Sequence, residues 1–204
     1  MYYRGMGGVA TFDVTGFILA GGKSTRMGRD KAFIEFEGRT LLERALGLAR
    51  SLTPDVRIVG AREKFAQFAS VVEDKFRDCG PLGGIHAALH ASQTELNFML
   101  AVDMPFVSET FLHYLIKEAR TATEATVIVP RSDGRRQPLC AIYRSRFGDV
   151  AGKALLAGRN RIDSLFDAVE TRVIGEEELN RAGFSSSIFR NLNTPEQLEE
   201  RRRA

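Results

Sequence analysis

A segment rich in glycine and basic residues, Leu19–Lys31 (LAGGKSTRMGRDK), contains the residue types that bind polyphosphates. Its three glycines let the backbone approach a ligand closely, and consecutive N–H groups in such a turn form a concave site for anions. Four basic side chains lie within nine residues: Lys23, Arg26, Arg29 and Lys31. The segment is not a Walker A loop, because Phe17 stands where that motif requires glycine. It therefore predicts a phosphate-binding loop of another kind.

A second segment, Ala101–Phe106 (AVDMPF), follows an apolar run at residues 98–102. Asp103 is the first charged residue after that run, so we expect it at the carboxyl end of a strand. A single carboxylate facing a phosphate loop is a usual way to hold Mg²⁺, with phosphate oxygens and water as the other ligands. The same aspartate could instead cap the next turn. Together, the two loops favour a site for a metal and a polyphosphate.

The elements that must position these loops alternate between short apolar runs and helical patterns, which is typical of an α/β fold with a mostly parallel sheet. The predicted strands are Gly16–Ala20, Val56–Val59, Val71–Glu73, Phe98–Val102, Thr126–Val129 and Leu139–Tyr143. The predicted amphipathic helices are Leu41–Leu52, Lys64–Ser70, Leu82–Ala91, Thr110–Arg120 and Phe147–Leu156. A last helix is predicted after Thr194, with Pro195 at its first position. Open sheets of this class bind ligands at the carboxyl ends of their strands, where both loops are expected.

The 204 residues, 44% hydrophobic and 27% charged, suit one globular domain. We predict a poorly ordered N-terminal extension over residues 1–15 and a single domain over residues 16–204. The net charge of +3 equals the contribution of Arg201–Arg203, so the rest of the chain gives no indication of nucleic-acid binding. No apolar run reaches the ~18 residues of a membrane helix, and the N-terminus lacks the apolar stretch of a secretory signal. Cys79 and Cys140 are too few and too far apart in the sequence to indicate a disulfide framework, so we predict a cytoplasmic protein. From the charge balance and the short apolar runs we predict neither nucleic-acid nor membrane partners.

Five motifs occur along the chain in sequence order, namely LAGGKSTRMGRDK, EDKFRDCGPLGGI (Glu73–Ile85), AVDMPF, QPLCAIY (Gln137–Tyr143) and NLNTPEQL (Asn191–Leu198). With these motifs the chain resembles the molybdenum cofactor guanylyltransferases of the MobA type. The first motif is shared by a wider nucleotidyltransferase superfamily, and its combination with the others is more specific. The resemblance runs from about Gly16 to the C-terminus and implies a Rossmann-like three-layer fold.

The implied reaction is transfer of GMP from Mg-GTP to the terminal phosphate of molybdenum-molybdopterin, with release of pyrophosphate. GTP and molybdenum-molybdopterin would be the substrates, and Mg²⁺ the cofactor. Transient contacts with proteins that supply molybdopterin and with recipient molybdoenzymes are also implied.

The resemblance further implies roles for residues at matching positions. The nucleotide would be bound by Leu19, Ala20, Gly21, Gly22, Lys31, Asp74, Gly80, Pro81, Leu82 and Asp103. Within this set the segment Gly80–Gly84 is associated with guanine recognition. Catalysis would depend on Lys31 and Arg26, which neutralise the phosphates, and on Asp103, which binds Mg²⁺. The molybdopterin side would contain Arg161, Asn191 and Asn193.

Three features need separate interpretation. Val59 occupies a position where relatives often have an asparagine that contacts the nucleotide, so backbone groups would have to serve instead. His86 and His90 have the spacing of a zinc-binding HExxH helix but lack its glutamate, and we interpret them as part of a helix packed under Gly80–Gly84. Asp133–Arg136 predicts a turn whose arginines could face the second substrate.

Three other functions stay open at this point. A molybdopterin cytidylyltransferase would use CTP on the same pterin, although that branch tends to carry LAAG and to lack GPLGG. A sugar-phosphate nucleotidyltransferase has the same fold, although DMPF and NLNTPE are not its usual features. A non-catalytic adaptor that binds nucleotide and delivers cofactor would not need to retain both Lys31 and Asp103.

Overall fold

The computed structural model describes residues 13–21, 30–76 and 78–192, which build an eight-stranded sheet covered by helices on both faces. The strands are β1 (Val14–Leu19), β2 (Glu35–Phe36), β3 (Arg39–Thr40), β4 (Val56–Val59), β5 (Ser70–Val72), β6 (Leu96–Ala101), β7 (Val127–Ser132), β8 (Arg135–Arg136), β9 (Cys140–Arg144) and β10 (Thr171–Ile174). The helices are α1 (Leu41–Arg50), α2 (Arg62–Phe65), α3 (Pro81–Ala91), α4 (Glu109–Thr121), α5 (Phe147–Leu156), α6 (Asp163–Phe166) and α7 (Glu176–Arg181). Two 3₁₀ turns cover Lys31–Phe33 and Ser186–Phe189.

The sheet is mostly parallel, with strand order β10-β7-β9-β6-β1-β4-β5 and with β8 paired to β7. The central strand β1 runs parallel to β4 on one side and to β6 on the other. The strand β9 runs antiparallel between β6 and β7. Because β1, β4, β5 and β6 point the same way, the loops that leave their carboxyl ends share one edge of the sheet.

Alternating side chains of the sheet enter two apolar layers. In β1, Phe17 belongs to the layer formed with α3 and α5, and Ile18 to the layer formed with α1 and α4. Both side chains are fully buried, and each such burial contributes about 1.5–3 kcal/mol. In the same strand, glycine is required at residue 16, opposite Phe98 of β6, because the Phe98 ring fills the space that a Cβ would take. The predicted three-layer α/β fold is confirmed.

Local sequence signals explain where the helices on one face begin. The side chain of Thr40 accepts a hydrogen bond from the backbone N–H of Glu43, whose own carboxylate binds back to Thr40 in a capping box at the start of α1. The hydroxyl of Ser108 caps α4 through the N–H of Phe111. These caps satisfy backbone N–H groups in the first turn of each helix.

The six predicted strands are confirmed to within three residues at either end, and so are four of the five predicted helices. The helix predicted over Lys64–Ser70 is wrong. Helix α2 ends at Phe65, and Ser70 instead begins β5, where it lies opposite Arg57 of β4. Pairing with the sheet therefore overrides the helical spacing of this short segment.

The first strand starts at Val14, so Val14 and Thr15 belong to the sheet and not to the predicted N-terminal extension. Residues 1–12 and the helix predicted after Thr194 lie outside the described residues. That residues 16–204 form a single domain stays a prediction. No helix in the described ranges has the length and apolar character needed to cross a membrane.

Candidate functional site

Backbone hydrogen bonds join the carboxyl ends of the central strands. The N–H of Ala20 donates to the carbonyl oxygen of Val59 at 3.0 Å, and the N–H of Val102 donates to that of Leu19 at 3.1 Å. The N–H of Gly60 donates to the carbonyl oxygen of Val72 at 3.1 Å. The ends of β1, β4, β5 and β6 therefore form one continuous edge, as the motif positions led us to expect.

Two of the predicted catalytic side chains meet at this edge. The Nζ atom of Lys31 lies 3.2 Å from Oδ2 of Asp103, and the two side chains are 28% and 17% exposed. Asp103 follows the last residues of β6, and Lys31 opens the turn after the glycine-rich loop. The pair is thus accessible to a ligand while its charges stay partly shielded from water, which strengthens the attraction of the Lys31 ammonium for a bound anion.

Three predicted site residues lie outside the described residues, namely Gly22, Arg26 and Asn193. Leu19 and Ala20 are half-buried at the end of β1, and Gly21 is exposed beyond them. A Cβ on Gly21 would lie 3.7 Å from the nearest atom, a carbonyl oxygen, which is an ordinary contact. Among the described residues, none therefore obstructs a Cβ at residue 21.

Asp74 lies beside the predicted guanine-recognition segment. Its Oδ1 atom accepts a hydrogen bond from the N–H of Phe76 at 2.8 Å. A Cβ on Gly83 would overlap the Asp74 carboxylate, so glycine is needed there for the two segments to approach. Burial raises the pKa of Asp74, because a charged carboxylate is poorly solvated at this position.

The segment Gly80–Gly84 forms the start of α3. Gly80 has φ of 64°, a left-handed conformation that favours glycine, and Pro81 takes the first helical turn. Leu82 is fully buried, and Pro81 is exposed. The exposed start of α3 and the Asp74 carboxylate thus lie side by side.

Val59 contributes through its backbone. Its side chain is buried in the layer that contains α3, and a Cβ on Gly84 would lie 3.2 Å from its Cγ1 atom. Its carbonyl oxygen is the acceptor for Ala20 described above. The valine therefore supports the edge from below and offers no polar side chain to a ligand.

The predicted molybdopterin-side residues differ in their relation to the Lys31–Asp103 pair. The N–H of Leu192 donates to the carbonyl oxygen of Asp103 at 3.0 Å, which brings the neighbouring exposed residue Asn191 to the same loop. Arg161 is exposed after α5, and its carbonyl oxygen accepts from the hydroxyl of Ser164 at 2.8 Å. The described contacts thus bring Leu192, the neighbour of Asn191, to the Asp103 loop, and none of them joins Arg161 to that loop.

The predicted turn at Asp133–Arg136 is confined to Asp133 and Gly134, because Arg135 and Arg136 form β8, which pairs with β7. Asp133 and Gly134 have φ of 51° and 71°, as a tight hairpin requires. The guanidinium of Arg136 pairs with Asp167 at 2.8 Å and lies over the ring of Phe166. Arg136 therefore has structural partners, whereas Arg135 is exposed.

His86 and His90 lie on α3 with ring centroids 4.3 Å apart. His86 also meets the ring of Phe76 edge-on at 5.0 Å, and a Cβ on Gly152 of α5 would lie 3.1 Å from its Nε2 atom. Burial and the nearby charges of His90 and Lys75 lower the pKa of His86. These contacts belong to the packing of α3 against α5. Within the described residues, no group of three or more His, Cys, Asp or Glu side chains is arranged to hold a metal.

Sequence reasoning missed the residues that hold the Lys31 turn. Asp30 caps this turn by accepting from the N–H of Ala32 at 3.2 Å, and its other oxygen binds Lys64 of α2 at 2.8 Å. An aspartate two residues before a buried alanine is a sequence signal for the cap. The partner on α2 has no comparable signal, because the ion pair joins residues far apart in the chain.

Comparison with known proteins gives consistent matches over most of the chain. The family model described as MobA-like NTP transferase domain matches residues 16–190. The molybdenum cofactor guanylyltransferase of Desulfosudis oleivorans is 34% identical over 190 residues, which cover 92% of this chain and 93% of the relative. A probable molybdenum cofactor guanylyltransferase of Geobacillus sp. is 32% identical over 194 residues, covering 92% of this chain and 97% of the relative.

A solved structure is also similar. The crystal structure of molybdopterin-guanine dinucleotide biosynthesis protein A from Archaeoglobus fulgidus superposes with a TM-score of 0.78 at 28% identity. The match covers 91% of this chain and 95% of that one.

Proposed function

Because this chain belongs to the family of MobA-like NTP transferase domains and is a nucleotidyltransferase, we propose that it transfers GMP from Mg-GTP to the terminal phosphate of molybdenum-molybdopterin. The products would be the guanine dinucleotide form of the cofactor and pyrophosphate. The observation that carries the proposal is the pairing of Lys31 with Asp103 at the carboxyl edge of the sheet. The names of the relatives supply the substrate class.

The proposed chemistry needs charge stabilisation more than proton transfer. An oxygen of the pterin phosphate forms a bond to the α-phosphorus of GTP, and the bond from that phosphorus to the oxygen bridging to the β-phosphate breaks. The attacking phosphate is already ionised near neutral pH, so no side chain has to remove a proton from it. Negative charge grows on the departing pyrophosphate, and a cation fixed beside it lowers the barrier. Lys31 is that cation, and its turn is anchored to the core through the fully buried Ala32.

Asp103 is the residue that we propose to hold Mg²⁺. Its carboxylate is a hard oxygen ligand at the end of β6, half-buried and beside the phosphate loop, which fits the preference of this ion. Since no larger cluster of ligating side chains occurs among the described residues, phosphate oxygens and water would complete the coordination. When bound, the ion would neutralise and orient the phosphates.

Asp74 supports the choice of guanine. The N1–H and the exocyclic 2-amino group of guanine are neighbouring donors, and a carboxylate can accept from both. Cytosine offers a single amino group on its pairing edge. Because Asp74 lies beside Gly83 at the start of α3, a base against Gly80–Gly84 would bring its donors within reach of this carboxylate.

The second substrate would lie on the side of Asn191. The bond between Leu192 and Asp103 supports this position, because it brings residues 191–192 to the edge where the pterin phosphate must attack. We propose Arg161 and Asn193 as further contacts from the same resemblance. We also propose transient contacts with molybdopterin-supplying proteins and recipient molybdoenzymes, and a cytoplasmic location.

A direct assay tests the proposal. The protein, Mg²⁺ and molybdenum cofactor are incubated separately with GTP, CTP and ATP, and any dinucleotide is identified by mass spectrometry. We expect a guanine dinucleotide and pyrophosphate with GTP alone, and neither product from the matched variant Asp103→Asn. A cytosine product would identify a cytidylyltransferase instead. Transfer to sugar phosphates in parallel reactions would identify the sugar-phosphate alternative, and nucleotide binding without any transfer would identify an adaptor.

A further inference from the structure

The turn that carries Lys31 is too short to fix its own backbone and, with it, the direction of the Lys31 side chain. It is a single 3₁₀ turn, in which the N–H of Phe33 donates to Asp30 at 3.0 Å and the N–H of Ile34 donates to Lys31 at 3.1 Å. Fixing the backbone of one turn costs more than so few hydrogen bonds return. The direction of Lys31 must therefore depend on contacts with other elements.

The first of these contacts is an ion pair at the start of the turn. Asp30 uses both carboxylate oxygens, one for the N–H of Ala32 and the other for Nζ of Lys64, at 3.2 and 2.8 Å. Its carboxylate is 19% exposed, and the ammonium of Lys64 is 51% exposed. The pair raises the pKa of Lys64, as expected for an ammonium bound to a carboxylate.

The second contact is aromatic and lies at the other end of the turn. The ring of Phe33 is stacked on the ring of Phe65, with centroids 5.8 Å apart, and lies 5.9 Å from the ring of Phe68. Phe33 is 41% exposed, so these rings cover only part of its side chain. Phe65 directly follows Lys64, which means that two consecutive residues of α2 bind the two residues flanking Lys31 and Ala32.

We propose that Lys64 and Phe65 are positioning residues, which hold the turn so that the ammonium of Lys31 reaches the Asp103 site. Lys64 acts through Asp30, and Phe65 acts through Phe33. Only the kinetic consequence of this inference rests on the proposed function, since the orientation of Lys31 is a property of the protein without substrate.

The charges explain why Lys64 matters beyond simple packing. Asp30 directly precedes Lys31 in the chain, so an unpaired carboxylate there would be a nearby competitor of Asp103 for the same ammonium. Lys64 binds the Oδ2 atom of Asp30 at 2.8 Å, and the N–H of Ala32 binds the other oxygen. Removing Lys64 should therefore release a competing carboxylate, and removing the negative charge of Asp30 as well should relieve that competition.

Four variants test this relation: Lys64→Met, Lys64→Arg, the double variant Lys64→Met/Asp30→Asn, and Arg62→Met. Arg62 is a matched control, because it loses a cation from the same helix, and its own guanidinium binds Glu73 and the carbonyl of Val71. The first readout is the rate at which an amine-acylating reagent labels Lys31, followed by mass spectrometry without substrate. The second is kcat and KM for GTP.

We expect Lys31 to be labelled faster in Lys64→Met than in the wild type, because its pairing with Asp103 is weakened. In the same variant kcat should fall on the order of tenfold while KM for GTP stays within about twofold, since misplacing a catalytic group mainly affects the reacting state. Lys64→Arg and the double variant should recover both values in part, and Arg62→Met should match the wild type.

Unchanged labelling in Lys64→Met would overturn the inference, and so would an equal effect in Arg62→Met. If the wild type transfers no GMP, the proposed function fails, while the labelling rates still decide whether α2 positions Lys31. Thermal unfolding of each variant shows that the compared proteins are folded.

Discussion

The substitution Asp74→Asn separates base recognition from folding. The amide has the shape of the carboxylate, and its oxygen can still accept from the N–H of Phe76. Its nitrogen, however, is a donor, and it would face the donors of guanine. The substitution should therefore weaken GTP use while leaving the start of α3 in place.

The size of the effect follows from the position of the carboxylate. A hydrogen bond to a charged group contributes ~1.5–3 kcal/mol, and guanine offers two donors. Since the site is open to water on one side, we expect a combined loss of about 2–3 kcal/mol rather than the full sum. That corresponds to roughly a 30- to 150-fold lower kcat/KM for GTP.

The thermal stability of Asp74→Asn should rise or stay unchanged, although its use of GTP falls. Burial raises the pKa of Asp74 above its unfolded value, so the stability contributed by this group is present at low pH and is lost as pH rises through the folded pKa. At neutral pH the ionised carboxylate therefore costs stability, and the neutral amide removes that cost. The Tm of Asp74→Asn at pH 7 should equal or exceed that of the wild type.

The assay compares GTP with ITP, whose base lacks the 2-amino group of guanine. In the wild type, ITP should lose about tenfold in kcat/KM, the value of one charge-assisted hydrogen bond. In Asp74→Asn the two nucleotides should be used almost equally, because the acceptor of that amino group is gone. Glu73→Gln, which changes the exposed neighbouring carboxylate, is the control and should keep the wild-type ratio.

The reasoning is refuted if the ratio of GTP to ITP use is the same in the wild type and in Asp74→Asn. A lower Tm in the variant would separately refute the argument from burial.

Four further outcomes are expected at the same site. Lys31→Ala should lower kcat/KM for GTP by ~2–4 kcal/mol in transition-state stabilisation, more than Lys23→Ala does, because one preorganised cation is lost. Gly21→Ala should raise KM for GTP with little change in Tm, since its Cβ makes an ordinary contact at 3.7 Å with the protein and fills space at the ligand. Gly83→Ala should lose about 1–3 kcal/mol of unfolding free energy in urea titrations, because its Cβ overlaps the carboxylate of Asp74. The preference for GTP over ITP should decline as pH falls, and at a higher pH than an ordinary aspartate would give, because burial raises the Asp74 pKa.

Each of these outcomes has a contrary result. Equal losses in the two lysine variants would mean that the loop acts as diffuse charge. A wild-type KM in Gly21→Ala would place the nucleotide away from residue 21. An unchanged unfolding free energy in Gly83→Ala would mean that the two segments separate freely, and a GTP/ITP ratio independent of pH would remove Asp74 from base recognition.

Six of the eight strands of the sheet were predictable, because their apolar runs are dense and short. Residues 98–101 are all apolar and lie in β6, which is buried along its whole length. By contrast β10, with only Ile174 fully buried, gives too weak a pattern to stand out from a loop. The segment around Phe65 and Phe68 has helical spacing, but the helix stops short because Ser70 begins β5, which pairs with β4.

The candidate site was predictable to the extent that its residues stand directly after strands. Asp103 and Asp74 both do so, and the shared direction of β5 and β6 brings them to one edge. The contact of Asp30 with Lys64 was not predictable, because two charged residues 34 positions apart carry no mark of their pairing. The packing role of Val59 beneath the start of α3 likewise became clear only from the close approach of Gly84 to its side chain.

The separation of Lys31 and Asp103 by 72 positions has a consequence for how the protein folds. The two side chains meet because β1 and β6 lie in parallel register, with Leu19 opposite Ala101. Contacts between such distant segments form slowly, since a long loop must close before any pairing offsets its entropy. Helices α1 and α3 can form earlier within that loop. After dilution from denaturant, helical circular dichroism should therefore recover before enzymatic activity, and the lag between them would measure the time taken to complete the central sheet.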